Sequence, residues 1–344
     1  MTSTPTLAEL RETAVPFRIR LTEKFRGVTV REGWLIQGPA GWGEFAPFDD
    51  YPPQLAARWL QAAVDAAWAP PLPLQRTAVA VNAIIPATTV AHTEELVRAA
   101  VRRGCSTMKI KVATDDTASD VAVVAAVRAT LDECLGESAG RIRLDANARW
   151  TLGQARELLP RLIDAARDVE YVEQPCADLD DCAEIRSLGL VPVAIDEGLR
   201  LASDLEDDAL WRRLRDAADV LIVKPIPLGG VTQVLAVADR AQVPVVVSSS
   251  LDSSIGLMYA VRAAASLPEL PFACGLGTGA LLADDLVTDT VLPQDGMIAV
   301  RDIAPDPHLL SQHRIGADDP RHDYWQRRLS EATAHLMAFG SVEP

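Results

Sequence analysis

Between residues 78 and 277 the chain repeats one pattern: a short apolar run, then a longer stretch with helical spacing. The runs read "AVAVNAII", "TMKIKV", "RIRLDA", "VEYVEQP", "VPVAID", "ADVLIVKP", "VPVVVSS" and "PFACGLG". A strand that passes through a helix to the next strand makes a parallel pair with a right-handed crossover. About eight such units in about 200 residues suit a closed (β/α) barrel better than an open sheet. The stretch "SDVAVVAAVRATLDECLG" shows the helical half of the repeat. Val121, Val124, Val127 and Leu131 recur at near-helical spacing, Ser119 is expected to cap the start, and Gly136 to end it.

The flanks read differently. "FRIRLTEKFRGVTVREGWLIQG" alternates like two antiparallel strands joined by a Gly-containing loop, and "PQLAARWLQAAVDAAW" has helical spacing. "APPLPLQ" then punctuates the chain. After "LLADDL" the rhythm stops, and "DGMIAV" and "DYWQRRLSEATAHLMAF" read as a strand pair and a helix that pack back on the N-terminal segment. The expected organisation is an α/β barrel over residues 76–285, with an α+β capping domain from residues 1–75 and a returning segment, 286–344. The start, "MTSTPTLAELRETAVPF", has neither a basic n-region nor an apolar h-region, and no run approaches the roughly 18 apolar residues of a span. A cytoplasmic protein is therefore expected, with no membrane partner. The formal net charge of −15 disfavours nucleic acid and anionic surfaces. A small anionic carboxylate substrate would need a local positive site, and a monomer or weak homo-oligomer is expected.

In such a barrel, chemistry sits at the C-terminal ends of the strands. Reading off those ends gives Lys109 and Lys111, then Asp145 and Asn147, Glu173, Asp196 with Glu197, and Lys224. From Lys111 onward the charges Asp145, Glu173, Asp196 and Lys224 follow at intervals of 34, 28, 23 and 28 residues. Each interval is close to one βαβ unit of about 30 residues. Taken singly, each has an ordinary explanation: an Asp begins a turn or caps a helix, and a strand Lys snorkels to water. Taken together, three acids flanked by lysines on successive strands converge on one mouth. Three carboxylates are hard oxygen ligands for a divalent cation, Mg²⁺ first and Mn²⁺ second. Four of the five histidines lie at position 308 or beyond and none of the five cysteines forms a CxxC pair, so zinc is disfavoured and free thiols are expected. Lys109 and Lys111, two apart on a strand, share the inward face. A cationic neighbour and a metal would make Lys111 a usable base. With a cation on the substrate carboxylate, that is equipment for α-proton abstraction through an enediolate.

The segments "KIK", "DAN" with a following Trp150, "EQP", "IDE" and "VKP" resemble the enolase superfamily, in its muconate-lactonising subgroup, over nearly the whole chain. The resemblance implies a modified (β/α)₇β TIM-type barrel with a capping domain formed by both termini. It implies Asp145, Glu173 and Asp196 as Mg²⁺ ligands and Lys111 and Lys224 as opposing acid/base residues. The lack of a barrel histidine argues against the mandelate-racemase branch. Within the subgroup, "EKFRGVTVREG", "GWGEFAPFDDY" and "SSSLDSSIG" are similar to the enzymes that dehydrate a succinyl-hydroxy-cyclohexadiene carboxylate in menaquinone biosynthesis. There Lys111 would remove the α-proton and protonate the departing hydroxyl, with Lys224 stabilising the enediolate. Relatives with the same five charges racemise N-acylamino acids or epimerise dipeptides, and a silent metabolite-binding barrel is the third reading. Lys109, Asn147, Ser249, Ser250, Gly275 and Arg26 complete the candidate substrate contacts, the serines and Gly275 by offering backbone N–H groups to an anion. Glu197 is read either as support for the metal or Lys109, or as a helix N-terminal charge. Arg143 should face the barrel interior below Asp145, with no role assigned.

Overall fold

The computed structural model describes residues 5–25 and 27–340. The chain first builds an antiparallel sheet from β1 (Ala14–Phe25), β2 (Val28–Gly38) and β3 (Gly41–Phe45). The alanine-rich helix Pro53–Trp68 lies against this sheet. The approach is so close that a Cβ added at Gly43 would stand 1.9 Å from the Ala63 carbonyl oxygen, which is why glycine is needed there. The C-terminal helix Pro320–Gly340 returns to the same body. Its buried Trp325 donates from Nε1 to Glu32 and accepts, through its carbonyl, from the Trp34 indole.

The second body starts with β4 (Ala78–Ala80) and continues through seven parallel strands: β5 (Ala83–Ile85), β6 (Thr107–Lys111), β7 (Arg141–Asp145), β8 (Tyr171–Glu173), β9 (Val193–Ile195), β10 (Val220–Val223) and β11 (Val245–Val247). They hydrogen-bond in chain order, β5 to β11, each linked to the next through at least one helix. Single parallel bridges, Ser248 to Gly275 and Val81 to Cys274, join the two edges of this curled sheet.

Several local expectations change. "AVAVNAII" is two strands, because β4 turns away to pair antiparallel with β12 (Met297–Ala299). "DGMIAV" thus joins the barrel at the N-terminal end of its strands, while the segments around Leu282 and Arg314 and the last helix reach the cap. "PFACGLG" supplies two bridges instead of a strand. Asp116, not Ser119, caps the helix Thr117–Leu135, its carboxylate accepting from the Ser119 N–H at 3.0 Å. Gly136 does end that helix, at φ 96°.

The period of two along β7 explains how core and site share a strand. Ile142 and Leu144 join the apolar layer between sheet and helices, where each buried aliphatic side chain contributes roughly 1.5–3 kcal/mol. Arg143 and Asp145 point to the barrel axis and are fully buried. Cys105, Cys176, Cys182 and Cys274 are buried, Cys134 is exposed, and all are free thiols. No helix among the described residues is long and apolar enough to cross a membrane.

Candidate active site

The C-terminal ends of β6 to β10 bring the five charges together. Lys109 donates from Nζ to both carboxylate oxygens of Glu173 at 2.6 Å and lies 2.9 Å from Asp145 Oδ2. Lys111 donates to that same Asp145 oxygen at 2.6 Å and to Asn147 Oδ1 at 2.8 Å. Across the mouth, Lys224 donates to Asp196 Oδ2 at 2.6 Å. β6 and β10 are four places apart in the sheet order, so the two outer lysines face each other. The strand ends are held by unusual backbone: Asn147 and Gln174 sit at φ 47° and 39°, a region side chains enter at a cost and mostly at functional sites. The fully buried Gln174 accepts through Oε1 from the N–H groups of Asp196 and Gly198 at 3.0 and 3.1 Å, tying the end of β8 to the turn after β9.

The electrostatics are those of dense, compensated charge. Burial pushes Asp145 up, but Lys109 and Lys111 outweigh it and hold the carboxyl far below its usual range. Burial likewise opposes ionisation of Asp196, and Arg200 and Lys224 overcome it. Glu173 is the exception: burial, and then the neighbouring Asp145, push it up to about 7. Burial alone would discharge Lys109, but Asp145 and Glu173 hold it charged, above the ordinary lysine value. Lys109 is therefore a fixed cation beside Lys111, not a base.

No three His, Cys, Asp or Glu side chains among the described residues gather closely enough to hold a metal, and the Lys109 ammonium lies between Asp145 and Glu173 instead. The donor chemistry fits all the same. Three buried carboxylates from adjacent strands offer only hard oxygen, the donor type a divalent cation of this kind takes. Lys109 now bridges two of these carboxylates, Asp145 and Glu173.

A small cavity opens over these groups, lined by Phe25, Lys111, Asn147, Lys224, Ser250 and Thr278 among others. The Phe25 ring stands 5.4 Å from Lys111 Nζ and forms part of the wall from the cap side. Among the expected substrate contacts, Lys109 and Asn147 line the cavity but are bonded to Glu173 and Lys111. Ser250 Oγ is buried without a hydrogen-bond partner, an orphan hydroxyl in the cavity wall. The backbone N–H groups expected to meet an anion are otherwise engaged. That of Gly275 donates to Val247 O, that of Ser249 to Gly275 O, and that of Ser250 to Asp252. The start of the following helix, Ser254–Ser266, is capped by Glu44 of β3, which accepts from the Ser253 and Gly256 N–H groups. Gly275 is needed for space, since a Cβ there would lie 2.5 Å from Ser248 Oγ. Arg26 lies outside the described residues.

Glu197 opens the short helix Glu197–Arg200, the helix N-terminal placement, and accepts from Arg200 at 2.6 Å, whereas Lys109 bonds to Glu173 and Asp145 instead. Arg143 is pinned below the site, donating to Glu170, Asn82 and the Ala273 carbonyl, with its guanidinium 4.7 Å from the Tyr171 ring. Arg200, Gln174, Phe25 and Thr278 were missed. Arg200, four residues after Asp196 on a helix, and Gln174, inside "EQP", were legible as neighbours of singled-out acids. Phe25 lies inside "EKFRGVTVREG", next to Arg26, and Thr278 just after Gly275, but which residue of each segment faces the cavity follows only from the fold.

Two family models match the chain: "Enolase N-terminal domain-like" over residues 16–67 and "Enolase C-terminal domain-like" over residues 92–305. An o-succinylbenzoate synthase of Thermobifida fusca (strain YX) is 44% identical over 323 residues, 92% of this chain and 95% of that protein. An o-succinylbenzoate synthase of Mycolicibacterium smegmatis is 42% identical over 325 residues, 94% of each. Among solved structures, the muconate lactonizing enzyme from Pseudomonas fluorescens in complex with muconolactone superposes with a TM-score of 0.73 at 17% identity, over 88% of this chain and 98% of that one. The substrate-liganded L-Ala-D/L-Glu epimerase from Bacillus subtilis does so at 0.70 and 20% identity, over 88% and 97%. At such identities these two structures speak for the fold alone.

Proposed function

The chain belongs to the enolase superfamily, and from that premise we propose that it catalyses the o-succinylbenzoate synthase reaction. It is a carbon–oxygen lyase that removes water from 2-succinyl-6-hydroxy-2,4-cyclohexadiene-1-carboxylate and leaves an aromatic ring. The observation that carries this reading is 40–44% identity to o-succinylbenzoate synthases along more than nine-tenths of the chain. The facing lysines over one small cavity are in keeping with it.

Lys111 is the base that takes the proton α to the ring carboxylate. Asp145 and Asn147 hold its ammonium form in place. The same Lys111 then protonates the departing hydroxyl. Lys224, fixed by Asp196, faces the enediolate from the other side and stabilises its charge. Ser250 offers its unpartnered hydroxyl, and Ser249 and Thr278 a polar wall, to the anionic substrate. Members of the superfamily generally use a divalent metal. Here Asp145, Glu173 and Asp196 would hold Mg²⁺, which when bound supplies Lewis-acid stabilisation of the carboxylate as negative charge builds on it. Phe25 helps exclude water over Lys111. A cytoplasmic place in menaquinone biosynthesis goes with this reading.

The test is direct. The purified protein with Mg²⁺ should consume the cyclohexadiene carboxylate with a kcat of about 1 s⁻¹ or more, read as loss of diene absorbance. Excess chelator should stop it and added Mg²⁺ restore it. No turnover with Mg²⁺ present would overturn the reading.

A further inference from the structure

Behind Asp196 lies a guanidinium that faces three ways. Arg200 is 2% exposed and donates from Nε to Asp196 Oδ1 at 3.0 Å, from Nη2 to Glu197 Oε1 at 2.6 Å and from Nη1 to the Tyr51 hydroxyl. Tyr51 belongs to the cap, in the loop between β3 and the helix Pro53–Trp68. Its ring packs edge-on against Trp59 at 5.4 Å, and its carbonyl accepts from Arg328 of the C-terminal helix at 2.9 Å. Asp196, the group Arg200 grips on its other side, carries Lys224 at 2.6 Å on its second oxygen. A single unbroken line of bonds thus runs from the cap through Tyr51, Arg200 and Asp196 to Lys224. A weaker branch continues from Glu197 Oε1, which also accepts from Asn147 at 3.5 Å, and Asn147 in turn accepts from Lys111. Glu197 Oε2 is buried without a partner, so one oxygen joins the two halves of the site.

We propose that Tyr51 and Arg200 are positioning residues that set the orientation of Lys224 through Asp196 and so make the seating of the cap a condition of turnover. Neither lines the cavity. The planar fork of arginine meets three acceptors at fixed angles, which a lysine ammonium does not reproduce. A misplacement of about 1 Å at a reacting group costs on the order of 10²-fold in rate. This inference rests on the proposed reaction and on Lys224 acting in it.

The experiment is a double-mutant cycle with Tyr51→Phe and Arg200→Lys in the full chain, read by kcat, KM and urea unfolding without added metal. Tyr51→Phe removes one hydroxyl and keeps the ring in its packing. It should lower kcat about 10-fold with KM within about twofold, and Arg200→Lys about 10²-fold. Because both act through one guanidinium, the double variant should be no slower than Arg200→Lys, and the two changes should also be non-additive in the urea midpoint. Should Arg200→Lys fail to fold, Tyr51→Phe alone decides: full kcat overturns the proposal. Multiplying kcat losses, or losses confined to KM, overturn it as well. A wild-type protein that leaves the diene untouched would instead remove the reaction on which it rests.

Discussion

The two ends of β7 differ in what they ask of a buried charge. Arg143 and Asp145 are two residues apart, both fully buried and both turned to the barrel axis. At the lower end Arg143 is held by fixed partners through Nε and Nη1, namely Glu170, Asn82 and the Ala273 carbonyl, and by the face of Tyr171, while its Nη2 is buried without a hydrogen-bond partner. Around it lie Tyr171, Ala194, Val220, Ile222 and Val246, an apolar plug. At the upper end Asp145 shares one oxygen between two lysines, Glu173 is pushed up to about 7, and Ser250 keeps a hydroxyl without a partner. The lower charge fills the barrel, and the upper charges face a cavity. In barrels of this kind, the two ends divide stability from chemistry in the same way.

The sharpest break of that contrast is at the top. Lys111→Ala should lower kcat by at least about 10³-fold, because one residue serves both proton transfers. Its urea midpoint should stay near wild type, since Asp145 keeps Lys109. Near-normal turnover by folded Lys111→Ala would remove it as the base. At the bottom the pattern should invert. Arg143→Met leaves Glu170, Asn82 and a buried carbonyl without their donor, and should cost about 3–5 kcal/mol of stability. The molecules that remain folded should keep kcat within about threefold of wild type. A collapse of kcat at full stability would place Arg143 in the chemistry.

The smallest effect is expected at the seam between cap and barrel. Burial, and then Asp252, push the buried Glu44 carboxyl up to about 7, against the Ser253 and Arg31 groups that draw it down. The folded protein therefore keeps a proton that the unfolded chain releases near pH 4.5. This contribution to stability is greatest below that value, declines as pH rises to about 7 and is level beyond it, a change of about 1–3 kcal/mol. Urea midpoints at pH 5, 6, 7 and 8 measure it, and Glu44→Gln should flatten the slope. An unchanged slope in that variant would assign the titration elsewhere.

How much of this was legible beforehand depends on how local the cause was. The parallel strands and the line of charges at their ends follow from apolar runs and a repeat near 30 residues, both local, and the sheet bears them out. The turning away of β4 was not legible, because its reason is a partner more than 200 residues on, β12. The capping residue of Thr117–Leu135 was misread by three positions, since Asp116 and Ser119 are both good caps and only the course of the chain after β6 selects one. Gly275 looked like an anion nest. Its N–H in fact bonds to Val247, a contact that only closure of the sheet creates. Arg200 stood in plain view after "IDE", yet its meaning depends on Tyr51 from the cap.

The facing lysines carry out a dehydration and not a racemisation. A racemase returns a proton to the α-carbon and so exchanges that hydrogen with solvent, whereas a dehydratase consumes it in making the ring. The decisive measurement sets diene consumption against α-deuterium incorporation into N-succinylamino acids, in deuterated water with Mg²⁺. Aromatisation should be rapid, and exchange at least about 10²-fold lower in kcat/KM, equivalent to about 2.7 kcal/mol in transition-state binding. Deuterium entering those amino acids as fast as the diene disappears would contradict it.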